Sequence, residues 1–378
     1  MSGGATRDAA PELGCTGALM PLVPPVACSV WPVSSYWPAK RVLVTGGGGF
    51  LGQAVLAGLE ARGARQVSAP RAAEVDLRDR TATESLVTDE SPDVIIHLAA
   101  SVGGIGANRE RPADLYLDNL LMGTHVLEAA RRAETPKTVM LGTICSYPKH
   151  TPVPFSEDSL WHGYPEETNA PYGVAKLAQL TQMQANRDQY GQSAIYLMPT
   201  NLYGPGDKFH PSVSHVIPAL IKKCVDAQES GSDHIEVWGT GSASREFLFV
   251  DDAAEGVLLA AEHYDRADPV NLGTDEEMPI RDLVGIITEA VGFDGEVRDG
   301  VVNTQTHISI LSVARLLSWY RQGCSARRRN PPTQARMSTC GTSSRQSSNA
   351  AKAGTSPIAL KYRVRTDRGP QLKKRRPT

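Results

Sequence analysis

Arg41-Val42-Leu43-Val44-Thr45-Gly46-Gly47-Gly48-Gly49-Phe50-Leu51-Gly52 is the stretch that decides the fold. Its first five residues are a short β-branched run, the pattern of a buried strand. Gly46, Gly49 and Gly52 follow at GxxGxxG spacing, on a strand-to-helix turn. Without Cβ atoms the backbone can approach a pyrophosphate, and the helix start beyond it offers free N–H groups and a positive dipole end. Leu51, Val55, Leu56 and Leu59 give that helix an apolar stripe. A flexible glycine turn alone would mean little. Between a strand and an amphipathic helix it predicts a nucleotide site, with Gly46, Gly49, Phe50, Leu51 and Gly52 as its residues.

Downstream, the second strand ends in Gln66-Val67-Ser68-Ala69-Pro70-Arg71. An NAD site places a carboxylate there for the ribose hydroxyls. None occurs before Glu74, and Arg71 can pair with a 2′-phosphate. The preferred cofactor is therefore NADP(H), with Asp76 and Leu77 placed as an adenine-contacting pair. A third strand, Asp93 to Leu98, runs into Ala99 and Ala100, small residues that let the chain pass close to the cofactor. A helix is expected from Pro112 to Arg132. A fourth strand, Thr138 to Gly142, ends in Thr143-Ile144-Cys145-Ser146. Strands alternating with helices indicate an α/β fold, a Rossmann-type doubly wound parallel sheet with ligands at the carboxyl ends of its strands. Gly46, Ala99, Thr143 and Asn201 all fall at such ends.

Tyr172-Gly173-Val174-Ala175-Lys176 supplies the chemistry. Tyrosine and lysine four apart share one helix face. A phenol can give its proton to a carbonyl oxygen while hydride reaches the carbon, and a nearby ammonium would lower a pKa that starts at about 10. Alone, YxxxK is common on ordinary helices. After the glycine loop and the Thr143–Cys145 loop it points to a reductase.

The segments TGGGGFLG, HLAASVGGIGAN, LGTICSYP, PYGVAK, MPTNLYGPGDKFHPSVSHVIPAL, VWGTGSASREFLFVDD and VNLG together resemble the GDP-L-fucose synthases, over about residues 41–298. These are extended short-chain dehydrogenase/reductases. The resemblance implies 3,5-epimerisation and NADPH-dependent 4-reduction of GDP-4-keto-6-deoxy-D-mannose to GDP-L-fucose. It implies Thr143 as donor to the carbonyl oxygen, Tyr172 as proton donor, and Lys176 on the nicotinamide ribose. It assigns Cys145 and His215 to epimerisation, and places Pro199, Asn201, Leu202 and His215 along the cofactor. Asn201, Lys223, Trp238 and Arg245 are its substrate-binding candidates, although a lysine at 223 loses bidentate phosphate contact. It also suggests a homodimer through the helices near 112–132 and 172–190. The chemistry suits the pair: hydrogens at C3 and C5 flank a ketone, and inversion needs acid–base groups on opposite faces. A thiol of pKa about 8.5 and an imidazole of about 6.5 can both exchange protons near neutrality. A related nucleotide-sugar epimerase or dehydratase, or an impaired nucleotide-binding remnant, are the other readings.

Composition frames this reading. With 41% apolar and 21% charged residues, the chain has the make-up of a soluble globular protein. Its six cysteines show neither CxxC nor metal-ligand spacing, so no metal is expected and they read as free cytoplasmic thiols. No run reaches the roughly 18 apolar residues of a membrane span. Residues 1–38 are proline-broken and read as a disordered leader. Residues 39–200, with 242–272 returning, read as the NADP-binding domain. Residues 201–241 and 273–300 read as a smaller substrate lobe, incomplete because the family pattern stops there. Residues 301–378 hold 16 Lys and Arg against one acid, Asp367. Such a tail could bind nucleic acid. A coding frame lost near residue 299 is the favoured account: it gives an unselected, disordered tail, and nucleic acid is then not expected as a partner.

Overall fold

The computed structural model describes residues 35–298, apart from 211–213 and Trp238. The expectations for the leader before residue 35, for the tail and for Trp238 lie outside the described residues.

The elements run β1 (Arg41–Thr45), α1 (Phe50–Ala61), β2 (Gln66–Ser68), α2 (Arg80–Glu90), β3 (Val94–His97), α3 (Ile105–Glu110), α4 (Pro112–Arg132), β4 (Lys137–Leu141), α5 (Ala170–Tyr190), β5 (Ala194–Pro199) and β6 (Asn201–Tyr203). They continue with α6 (Val216–Ser230), β7 (His234–Glu236), β8 (Ser244–Phe249), α7 (Val250–His263), β9 (Val270–Leu272), β10 (Glu277–Pro279), α8 (Ile280–Val291) and β11 (Glu296–Arg298). The main sheet has the order β2-β1-β3-β4-β5-β9, and every pairing in it is parallel. From β1 the chain goes to β2 on one side, then crosses to β3 on the other. The carboxyl ends of β1 and β3 thus flank the switch point where such sheets bind ligands.

Both faces are covered, so the central strands need no polar side: β3 and β4 are buried at every position. Val42 and Val44 face α1 and α7 through Val55, Leu59, Val257 and Leu258. Leu43 and Ile95, on the alternate face, meet Val87 of α2 and Val126 and Ala130 of α4. Leu177, Leu180 and Met183 of α5 pack with Met140, Tyr196 and Met198.

A second core holds the smaller lobe: Tyr203, Ile217, Ile221, Phe247, Met278, Leu283 and Ile287. It lies among α6, α8, the sheet β10-β8-β6 and the parallel pair β11-β7. Asp251 and Asp252 occupy the first turn of α7, which starts from Phe249 without a side-chain cap. Acids in that turn still favour the positive helix end. No helix among the described residues is long and apolar enough to cross a membrane.

Candidate functional site

The glycine loop is tight for a steric reason. Gly46 has φ +75°, and a Cβ there would sit 2.6 Å from the Ala99 amide nitrogen. One at Gly49 would meet the Gly46 carbonyl at 3.1 Å, and one at Gly52 would overlap that carbonyl. Gly49 donates to Gly46 O at 2.9 Å, and α1 starts from Gly49 with no capping side chain. The first-turn amides of Phe50 and Leu51 therefore belong to an uncapped helix start beside a side-chain-free cradle, which fits a dinucleotide pyrophosphate. The Leu51 side chain itself packs into the main core.

After β2, the Arg71 carbonyl accepts from Glu74 and Val75 amides at 2.9 and 3.0 Å, which closes a turn. Arg71 is exposed, and its guanidinium has no hydrogen-bond or ionic partner among the described residues. The Asp76 carboxylate is held by Arg78 at 2.8 Å, and Arg78 also reaches Asp118 at 3.2 Å. That guanidinium holds the Asp76 carboxyl down at about 2. The Leu77 side chain is buried, and its carbonyl accepts from the Thr83 hydroxyl at 3.2 Å. Ala99 and Ala100 lead from β3 into Ser101, whose amide and carbonyl are both held by buried Asn119, at 3.0 and 2.8 Å.

Thr143 leaves β4 and accepts from the Cys145 amide at 3.2 Å, which starts a short 3₁₀ turn. Helix α5 docks on this turn at Gly173, where a Cβ would lie 2.6 Å from the Cys145 carbonyl oxygen. Ser146 Oγ donates to Gly173 O at 3.0 Å and fastens the contact. Docking places Tyr172 beside Cys145: burial, then that thiol, push the phenol well above its ordinary range. Lys176 Nζ donates to Leu141 O at 2.8 Å, and burial pulls its ammonium down to about 8. The depressed phenol expected from a neighbouring lysine is thus reversed here. Lys176 is turned towards the end of β4, and desolvation decides the direction for Tyr172. A raised phenol stays protonated at neutral pH, which is the form that donates.

Burial pushes the Cys145 thiol up. The Thr143 hydroxyl and Arg245 oppose this, and Glu166 adds to it. Arg245, exposed on β8, donates from its guanidinium to Ser244 O at 2.6 Å. His215 stands exposed at the start of α6, and the preceding Ser214 carbonyl abuts Gly104. Asn201 donates to Glu246 O at 2.9 Å across β6 and β8; Leu202 packs on the main core, and Pro199 ends β5. Lys223 Nζ donates to Glu236 O at 2.8 Å and so ties α6 to β7.

Sequence reasoning missed three polar groups at the site. His97 is fully buried, pairs with Thr45 Oγ1 at 2.8 Å, and is pulled down to about 3 by burial and then by Lys176. Glu166 accepts from the Asn169 amide and side chain and thereby fixes the start of α5. Asp207 is buried in the turn after β6. A histidine closing the apolar run Val94-Ile95-Ile96 was the available signal for the first. Asp207 carried none.

Three comparisons bear on this geometry. The NAD dependent epimerase/dehydratase family matches residues 42–273. A GDP-L-fucose synthase 1 of Arabidopsis thaliana is 40% identical over 68% of this chain and 80% of its own. The GDP-L-fucose synthase of Escherichia coli K12 is 37% identical over 75% of this chain and 92% of its own. Among solved structures, a GDP-L-fucose synthetase from Naegleria fowleri bound to NADP superposes with TM-score 0.66 and 26% identity, covering 76% of this chain and 94% of that one.

Proposed function

The chain belongs to the GDP-L-fucose synthases of the NAD dependent epimerase/dehydratase family, and on that premise we propose how its residues epimerise and reduce GDP-4-keto-6-deoxy-D-mannose. The observation that carries the proposal is the docking of α5 on the Cys145 turn, which brings Thr143, Cys145 and Tyr172 to one place. NADPH supplies the hydride that reduces C4. Gly46, Gly49 and Gly52 make room for its pyrophosphate, the amides at the start of α1 hold it, and Arg71 takes the 2′-phosphate.

Before reduction, Cys145 and His215 move the protons at C3 and C5, one from each face. Thr143 and Tyr172 hydrogen-bond the C4 oxygen, which carries the enolate charge during inversion. The same Tyr172 proton then goes to that oxygen as C4 is reduced, so one oxyanion site serves both reactions. Lys176 holds the nicotinamide ribose. Arg245, beside Cys145, stabilises the thiolate and reaches the diphosphate. Asn201 and Lys223 line the substrate lobe.

The chain acts as a homodimer through α4 and α5, where Tyr116, Leu117 and Tyr190 stand exposed. A mechanism that needs Cys145 as a free thiol supports a reducing compartment, the cytoplasm. Incubation of the full chain with the GDP-keto sugar and NADPH tests the reading. One NADPH consumed per GDP-L-fucose formed is expected. NADPH consumption that yields only the unepimerised 4-reduced sugar would remove the epimerase half.

A further inference from the structure

Ser101-Val102-Gly103-Gly104 leads from β3 into α3 and is held at both ends by buried amide side chains. At its start, Asn119 of α4 accepts from the Ser101 amide at 3.0 Å and donates to the Ser101 carbonyl at 2.8 Å. At its end, Asn108 of α3 donates from Nδ2 to the Gly103 carbonyl at 3.3 Å and to the Gly104 carbonyl at 3.4 Å. Both asparagines are also tied to α5. Asn108 Nδ2 donates to Asn169 Oδ1 at 3.2 Å, and Gln179 Nε2 donates to the Asn119 carbonyl at 2.6 Å. Buried bonds of this kind are kept, because a bare amide in the interior is costly. Asn169, Tyr172, Lys176 and Gln179 follow one another at spacings of 3, 4 and 3 residues, so they share one face of α5. The Tyr172–Lys176 pair thus stands between the two residues that grip the loop.

The end of the loop meets the segment that opens α6. A Cβ at Gly104 would lie 3.2 Å from the Ser214 carbonyl oxygen, so the two backbones pass in near contact. Gly104 has φ −68° and ψ −178°, a conformation open to any residue. What glycine supplies there is space for Ser214, and His215 is the next residue. Resting on the acid–base role given to His215 above, we propose that Asn108 is its positioning residue, acting through the Gly104 backbone against which the Ser214–His215 segment rests. Helix α5 is then the common reference for both proton-transfer groups. Gly173 admits the Cys145 turn to one part of it, and Asn169 holds Asn108, and with it the loop under Ser214, at its start. Inversion needs the thiol and the imidazole on opposite faces of one sugar, and a shared rigid element fixes their separation.

The test uses the full chain with Gly104→Ala and with Asn108→Ala. The methyl of Gly104→Ala presses on the Ser214 carbonyl alone; ordinary contact of about 3.5 Å asks that carbonyl to give by about 0.3 Å. Deuterium uptake at C3 and C5 of the GDP-keto sugar should slow about 3- to 10-fold in Gly104→Ala and about 10- to 100-fold in Asn108→Ala, where the loop loses its tie to Asn169. Reduction should continue in both and yield more of the unepimerised sugar. NADPH affinity, read by fluorescence titration, should stay parental and shows that the chains are folded; if Asn108→Ala does not fold, Gly104→Ala decides. Side-chain ¹⁵N NMR reads the His215 ring, assigned by the loss of its signals in His215→Asn, and those signals should move in both variants. Parental exchange in Gly104→Ala, unmoved ring signals, or equal losses of exchange and reduction, the mark of a merely structural role, overturn the proposal. If His215→Asn exchanges deuterium at the parental rate, the acid–base role of His215 itself fails, and the ring signals still decide whether Gly104 and Asn108 hold its segment.

Discussion

Gly173→Ala is the substitution that the site geometry singles out. An ideal Cβ at Gly173 lies 2.6 Å from the Cys145 carbonyl oxygen and 3.2 Å from its carbon. Ordinary contact of about 3.5 Å would need a displacement of roughly 0.9 Å. Little can yield. The turn is tied to α5 through Ser146 Oγ and Gly173 O, and to Thr143 through the Cys145 amide. Overpacking of this kind costs about 1–3 kcal/mol. Alanine regains about 1 kcal/mol of helix propensity, so the net loss should be about 2 kcal/mol at most. Catalysis should suffer more: a shift near 1 Å between Tyr172 and the Thr143–Cys145 turn is worth about 100-fold in turnover. Urea denaturation gives the first quantity and single-turnover NADPH oxidation the second. A Gly173→Ala chain with parental stability and parental turnover would refute the idea that close docking of α5 sets the site.

Two further outcomes are expected. His97 is neutral and fully buried, with its pKa at about 3 against about 6.5 unfolded. Its folded value is depressed, so stability is intact above pH 6.5 and falls as pH falls, by about 2 kcal/mol at pH 5. His97→Gln should flatten that slope in denaturant titrations between pH 7 and pH 5; an unchanged slope would place the acid sensitivity elsewhere. Arg71→Ala should weaken NADPH by about tenfold in fluorescence titration and leave NADH nearly unchanged, since one guanidinium–phosphate contact is at stake. Equal losses for both cofactors would show that Arg71 does not read the 2′-phosphate.

The parts of the molecule legible in the sequence are those where a local rule and the fold agree. Gly46 and Gly52 announced the loop because only glycine fits the space left by Ala99 and by the Gly46 carbonyl. The helix expected from Pro112 to Arg132 is α4 with those bounds, since its apolar stripe meets two neighbours at once, α2 and α5. Thr143, Cys145 and Tyr172 do converge, but the reason, the missing Cβ of Gly173, concerns a contact between segments 28 residues apart and has no local signature. Charge behaviour was least legible. The YxxxK spacing puts a lysine near a phenol but says nothing of burial, and burial reverses the expected shift of Tyr172. The ion pairs around Asp76 were not legible either, because Arg78 and Asp118 meet only in the folded chain. The burial of Asp207 depends on a turn whose path no periodicity encodes.

Deuterium exchange in Tyr172→Phe, set beside Cys145→Ser, tests most directly whether one site performs both chemistries. The substrate is the GDP-keto sugar in deuterated water, followed by NMR at C3 and C5 while NADPH oxidation is followed optically. Tyr172→Phe should lose reduction by about 10²- to 10⁴-fold and still exchange deuterium. Cys145→Ser should lose exchange on the same scale and still consume NADPH to give a directly reduced sugar. Parental exchange in Cys145→Ser, or parental reduction in Tyr172→Phe, would contradict the division of labour drawn from Thr143, Cys145, Tyr172 and His215.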